Sequence, residues 1–464
     1  MEKKNAWKGL DASELERLEA FARAYSAYLD ASKTERECVK ESVKEAAAHG
    51  FLDLDEIVAR GGALKPGDRV YRNWMNKCFM MFVVGSEPLS AGMNILGAHI
   101  DSPRIDVKQN PLYESDGIAY FDTHYYGGIK KYQWLTLPLA LHGVIVRKDG
   151  SAVDVCVGEE EGDPVFFISD LLPHLAREQM SKTAAKLVEG EQLDLIVGSR
   201  PQEGEEKEPV KAAILKLLGE RYGIEEEDFL SAELEIVPAG KTREVGFDRS
   251  MLLGYGHDDR VCAYPSLAAV RDYEGVPKYT LCCILTDKEE IGSVGATGMH
   301  SRFFENTIAE LCALAGEGSD LALRRTLANS RMLSSDVSAG FDPSFPSVFE
   351  KKNAAFLGAG LSLNKYTGAG GKSGSNDANA EFVAQVRRVL DDADVDFQMS
   401  ELGRVDVGGG GTIAYICAVY GMNVIDSGIP VLAMHAPWEL ISKADLYEAY
   451  RGYCAFLRGA EPVK

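Results

Sequence analysis

In "DASELERLEAFARAYSAYLD" (residues 11–30) Leu15, Leu18, Phe21, Ala22 and Tyr25 recur at three-to-four spacing. That spacing puts them on one helical face, and it opens a helical region read over 11–48. Asp11 or Ser13 is the expected cap. The apolar runs "FMMFVVG" (79–85) and "MNILGAH" (93–99) then read as strands of a sheet. From 107 to about 246 the pattern shifts to short strands and turns. Val144, Val146, Val153 and Val155 flank "KDG", a hairpin signal. The acidic stretch 189–215 reads as a mobile, solvated loop.

From 247 onward helices and strands alternate again. "DDRVCAYPSLAAVRDY", "RFFENTIAELCALAG" and "AEFVAQVRRVLDDA" suit helices, and "YTLCCILT", "DFQMSELG" and "GIPVLAMH" suit strands. "SKADLYEAYRGYCAFLRG" closes as a helix with a Leu446, Tyr450, Tyr453, Leu457 stripe, and Ser442 with Asp445 resembles a capping box. Such alternation predicts an α/β protein: a three-layer α/β/α sandwich with a mixed central sheet, interrupted by a β-rich insertion domain. The expected division is a catalytic domain in two parts, 1–106 and 247–464, around an insertion at 107–246. A chain of 464 residues is too long for one ordinary core, which agrees.

Composition narrows the function classes. Fifty Lys+Arg against 71 Asp+Glu give a net charge of −21, which opposes nonspecific binding to nucleic acid or anionic membrane. Nine cysteines, none in a Cys-x-x-Cys pair, read as reduced thiols of a cytoplasmic protein. The N-terminal stretch has no apolar core of a signal peptide, and no run approaches the ~20 apolar residues of a membrane helix.

The chemistry-bearing residues stand at the ends of predicted strands or the starts of helices, where open α/β sheets gather their sites. In "NILGAHIDSPRID", His99 follows an apolar strand; it is a structural histidine or a ligand whose ring Asp101 orients. In "GYGHDDRVCAYPS", Asp258 and Asp259 either cap a helix or bridge cations, and His257 competes as a ligand. In "DKEEIGSVGATG", Glu289 and Glu290 are an ordinary acidic turn, or else one metal ligand beside one general base. Asp336, in "RMLSSDVSAGFDPS", is a cap or a ligand. His435, in "PVLAMHAPWELIS", repeats the strand-end placing of His99. Two imidazoles and three carboxylates, one of them bridging, give three protein ligands to each of two metals, with room for a bridging water.

Taken in order, His99-x-Asp101, Asp258-Asp259-Arg260, Glu289-Glu290, Ser335-Asp336-Val337 and "MHAPWE" around His435 resemble the motifs of the two-metal aminopeptidases. The fit is best to the aspartyl aminopeptidase family, which includes the yeast vacuolar aminopeptidase. The resemblance spans nearly the whole chain, the insertion included.

It implies hydrolysis of the N-terminal residue, acidic or neutral, from peptides. Asp258 bridges two divalent ions, most readily Zn, with Co or Mn as alternatives. His99 and Asp336 complete one site, and Glu290 and His435 the other. Asp101 orients His99, and Glu289 is the general base towards a metal-bridging water. His174, in the insertion, reaches a neighbouring subunit's site in similar proteins; a surface histidine is the plainer alternative. The partners implied are peptide substrates and further copies of the chain, as dimers assembled into a tetrahedral dodecamer. Lys365, Lys372 and Arg404 are candidates to read an acidic residue, with solvent exposure as the alternative. Two rivals remain: a same-clan carboxypeptidase or N-acyl amino acid deacylase, and a non-catalytic assembly or cargo protein.

Overall fold

Along the strand Cys78–Val83 the side chains part strictly in turn: Phe79, Met81 and Val83 enter one buried cluster, Cys78, Met80 and Phe82 another. Successive strand side chains face opposite ways, so an unbroken apolar run marks a strand covered on both faces. Met93–His99 and Thr280–Thr286 divide likewise, Leu96 and Leu281 to the first cluster, Ile95 and Ile284 to the second. The structure, a computed structural model, describes residues 4–368 and 370–463.

These strands belong to a nine-stranded mixed sheet. Its order is Leu52–Asp53, Arg69–Trp74, Cys78–Val83, Thr280–Thr286, Met93–His99, Arg331–Ser335, Asn423–Gly428, Leu361–Asn364 and Phe397–Ser400. The four strands from Thr280–Thr286 to Asn423–Gly428 are mutually parallel, so their carboxyl ends share one edge. Helices Ala12–Asp30, Glu35–Ala48, His257–Arg271, Ala380–Asp392 and Lys443–Gly459 contribute Tyr25, Val39, Val261, Phe382 and Tyr453 to the first cluster. Leu54–Ala59, Phe303–Leu314 and Asp320–Asn329 contribute Ile57, Ile308 and Leu327 to the second. The chain is thus a mixed α/β protein with one large sheet and further small ones.

By its internal contacts the chain forms two units. The first holds Met1–Asp101, Thr242–Met434 and Glu439–Lys464, and the second Ser102–Lys241 and His435–Trp438. The second unit is built on a six-stranded antiparallel sheet, ordered Ala152–Val157, Leu139–Val146, Ala232–Pro238, Arg104–Ser115, Ile118–Tyr126 and Leu195–Gly198. The hairpin around "KDG" pairs Ile145 with Val153.

Several local readings need correction. The helical opening and its Asp11 cap hold, as two helices, the first boxed by Asp11 with Glu14 and the second by Thr34 with Glu37. The stretch 189–215 contains the strand Leu195–Gly198 and the start of the helix Pro209–Tyr222. Its charge run masked "VKAAILKLL", whose apolar content supports a helix. "GIPVLAMH" supplies the last residue of Asn423–Gly428 and the two-residue strand Pro430–Val431 rather than one continuous strand. Ser442 is the N-cap of the last helix without a side-chain bond, and the Asp445 carboxylate accepts the N–H groups of Gly358 and Gly360, each at 2.7 Å, rather than that of Ser442. All nine cysteines are free, with Cys156 exposed, Cys454 half-buried and the rest buried. Among the described residues no helix is long and apolar enough to cross a membrane.

Candidate active site

His99 is the last residue of its strand and is buried. Its Nδ1 lies 2.9 Å from the Asp101 carbonyl and 3.3 Å from the Asp101 carboxylate, which fixes the ring. Nε2 then faces inward, 3.1 Å from Asp258 Oδ1 and 4.0 Å from Asp336 Oδ1. One ring nitrogen held by oxygen and the other presented to a carboxylate pair is the arrangement of a metal-ligating imidazole.

Asp258 and Asp259 do not cap their helix. Gly256 occupies the N-cap in a left-handed conformation, and both aspartates lie in the first turn with non-helical backbone, joined by a cis peptide bond. The Asp258 N–H donates to Glu439 Oε2 at 2.9 Å, while Asp259 Oδ2 accepts the His99 N–H at 3.3 Å. His257, the competing ligand, turns away: its Nδ1 meets the Tyr25 hydroxyl at 2.6 Å, and burial pushes it down to about 3. It therefore stays neutral and outside the cluster.

Glu289 and Glu290 follow the strand Thr280–Thr286 on a short 3₁₀ turn. Their N–H groups donate to the two oxygens of Asp101, at 3.1 and 3.2 Å. Asp101 thus holds His99 through one part of the residue and the glutamate turn through another. Asp336 directly follows Arg331–Ser335, its N–H donating to Ser427 O at 3.0 Å. Gly428 allows this approach, since a Cβ there would lie 1.7 Å from the Asp336 carbonyl.

Ligand atoms of His99, Asp258 and Asp336 lie within 4.8 Å of one another, as do those of His99, Glu289 and Glu290. Burial first, and then the charges of Asp259 and Glu289, raise the Asp336 carboxyl well above the ordinary carboxylate range. Burial does the same to Asp259. His99 is raised although burial opposes it, because Asp101 and Asp258 accept hydrogen bonds from its charged ring. Such a gathering of carboxylates away from water is costly without a compensating cation. A donor set of imidazole nitrogen and carboxylate oxygen is the one zinc takes, so the residues fit a divalent metal.

His435 opens the His435–Trp438 stretch of the second unit; its backbone is left-handed at φ 65°, and its Nδ1 lies 3.0 Å from the Gly128 carbonyl. His174 is exposed, in a turn of the same unit. Lys365 and Lys372 both pair with Asp377, and Lys372 and Arg404 are exposed. Lys372 and Arg404 line one pocket with Tyr366, Glu401 and Asp406.

Sequence reasoning did not anticipate Glu439 or the hold of Asp101 on the glutamate turn. Glu439 ends the "MHAPWE" motif, and a carboxylate between apolar residues, in "PWELI", was the available signal.

Known proteins resemble this chain over nearly its whole length. The family model described as Aminopeptidase I zinc metalloprotease (M18) matches residues 28–457. The probable M18 family aminopeptidase 1 of Clostridium acetobutylicum is 58% identical over 457 residues, 98% of each chain. That of Thermotoga maritima is 46% identical over 454 residues, again 98% of each. The crystal structure of the M18 aminopeptidase from Thermotoga maritima matches with a TM-score of 0.94 at 45% identity, over 99% of this chain and all of the other. Aminopeptidase I from Clostridium acetobutylicum matches with a TM-score of 0.92 at 56% identity, over 98% and 99%. From the strand-end imidazole and carboxylates to these whole-length matches, one conclusion follows: the chain belongs to the M18 family of aminopeptidase I zinc metalloproteases and is a metalloaminopeptidase.

Proposed function

We propose that this aminopeptidase removes an acidic or neutral N-terminal residue from peptides with a pair of divalent ions, zinc first among them. His99 and Asp336 hold one ion, Glu290 and His435 the other, and Asp258 contributes to both. When bound, such a pair would supply Lewis-acid polarisation of the scissile carbonyl and a water acidified towards neutral pH. Asp101 keeps the His99 ring aimed and the Glu289–Glu290 turn in place. Glu289 takes a proton from the attacking water and passes it to the leaving amine. Its neighbour Glu290 is committed to a metal, so the adjacent carboxylates divide two tasks. The observation that carries this reading is the meeting of His99 Nε2 with the Asp258 and Asp336 carboxylates at 3.1 and 4.0 Å.

Under the same reading the catalytic residues sit on an α/β/α sandwich formed by 1–106 and 247–464. The segment 107–246 is an inserted lid and dimerisation domain. The enzyme is cytoplasmic, and dimers join into a tetrahedral dodecamer in which His174 serves a neighbouring site. The test is chelation followed by readdition of zinc, cobalt or manganese, with a panel of aminoacyl-nitroanilides and N-acyl amino acids. Metal-dependent release from the nitroanilides is expected. Activity that survives full metal removal, or that falls on N-acyl amino acids alone, overturns the proposal.

A further inference from the structure

We propose that Thr297 and Asp287 form a clasp that positions Glu289 and Glu290, acting through the backbone of the turn that carries them. The inference rests on the aminopeptidase reading of those two glutamates. Asp287 is the first residue after the strand Thr280–Thr286, and Thr297 lies where the chain returns. Thr297 Oγ1 donates to Asp287 Oδ2 at 2.6 Å, and the two residues are only 4% and 1% exposed. Directly beside them, Asp287 and Gly298 form a parallel backbone bridge. The clasp therefore closes the neck of a turn that carries both glutamates.

The rest of the turn has little packing of its own. Ile291 and Val294 are exposed at 47% and 66%. Lys288 and Ser293 have left-handed backbone, at φ 67° and 57°, which ordinary residues adopt at a cost. The Ser293 N–H donates to Lys288 O at 2.6 Å, so the tip is closed by backbone alone. At the neck, the Thr297 carbonyl also accepts from Cys78 Sγ at 2.7 Å, tying the clasp to the central sheet. Gly298 is required there, because a Cβ would come 2.2 Å from the Ser293 carbonyl. The Asp101 carboxylate fixes Glu289 and Glu290 from one side and the clasp fixes the neck from the other. Without the clasp, the neck keeps only backbone ties, the Cys78 bond and the Trp74 Nε1 bond to the Ala296 carbonyl at 3.1 Å, and among the described residues no side-chain hydrogen bond joins its two sides.

The experiment compares Thr297→Val, nearly the same shape without the hydroxyl donor, with Thr297→Ser, which restores it. In the metal-free protein, the Glu289 and Glu290 amides of Thr297→Val should exchange with solvent about tenfold faster. Zinc affinity should fall by roughly 10–100-fold, as when a partner that orients a ligand is lost. The kcat on an aminoacyl-nitroanilide should fall about tenfold with KM nearly unchanged. Thr297→Ser should restore all three. Unchanged exchange and zinc affinity in Thr297→Val overturn the proposal, as does a Thr297→Ser variant that behaves like Val. Glu289→Gln and Glu290→Gln, assayed alongside, separate the two levels. If both keep wild-type turnover, the reading of the glutamates fails. If both are inactive while Thr297→Val matches the wild type, the clasp alone is overturned.

Discussion

Asp101 Oδ2 accepts the backbone N–H of Glu290 at 3.2 Å, from a carboxylate that also lies 3.3 Å from His99 Nδ1. A proposed ligand imidazole and a proposed ligand glutamate, 191 positions apart in sequence (290 − 99), are thereby indexed to one side chain. Asp101→Asn replaces one acceptor oxygen by an N–H that faces another N–H. A buried donor left unmet costs about 1–3 kcal/mol. Zinc affinity, measured by competition with a chelator, should fall roughly 10–100-fold. Unchanged affinity would show that the turn holds itself.

Glu289 is assigned proton transfer and Glu290 metal binding, although the residues are adjacent. Glu289→Gln should therefore lower kcat by roughly 10²–10⁴-fold, the usual span for general acid–base catalysis. Its metal content should match the wild type. Glu290→Gln should lower metal content first. Elemental analysis of the two purified proteins, set beside their turnover, separates the roles; matching metal loss in both would merge them.

The central strands were legible because an apolar run such as Cys78–Val83 leaves few alternatives to a strand covered on both faces. His99 and Asp336 were legible as residues placed at strand ends, where this class of sheet keeps its chemistry. Asp445 was misread because Ser442-x-x-Asp445 satisfies a local capping pattern. Its real partners, Gly358 and Gly360, lie more than eighty positions away in sequence. His257 was ambiguous for the same reason, since only the fold supplies Tyr25. Spacing reports neighbours along the chain, whereas the partner that decides a buried polar group is commonly distant.

Burial disfavours the charged form of Asp336, and Asp259 and Glu289 disfavour it further. In metal-free protein, Asp336→Asn should therefore raise Tm, because it removes one of several crowded carboxylates. In zinc-loaded protein the same substitution should lower Tm relative to wild type. A ligand at a thousandfold its Kd adds about 4 kcal/mol of stability, and the variant forfeits part of it. Thermal scans with and without chelator should thus cross; parallel shifts would argue against a cation at this carboxylate.

Asp445 gives the cleanest pH prediction, being fully buried at the start of the last helix. Burial pushes its carboxyl up to about 8, even though the Gly358 and Gly360 N–H groups favour the charged form. An unfolded aspartate titrates near ~3.9, so between those values the folded protein binds more protons than the unfolded chain. The sign follows: this contribution to stability is complete below about pH 4 and is lost as the pH rises through about 8. Stability measured by urea unfolding should therefore decline over that interval, and Asp445→Asn should flatten the decline, since an amide has no proton to lose. Asp445→Ala should also flatten it but lower stability throughout by about 2–4 kcal/mol, with two buried N–H groups left unmet. If Asp445→Asn keeps the wild-type slope, the titrating group lies elsewhere, and the two glycine N–H bonds hold a carboxylate that is ionised throughout.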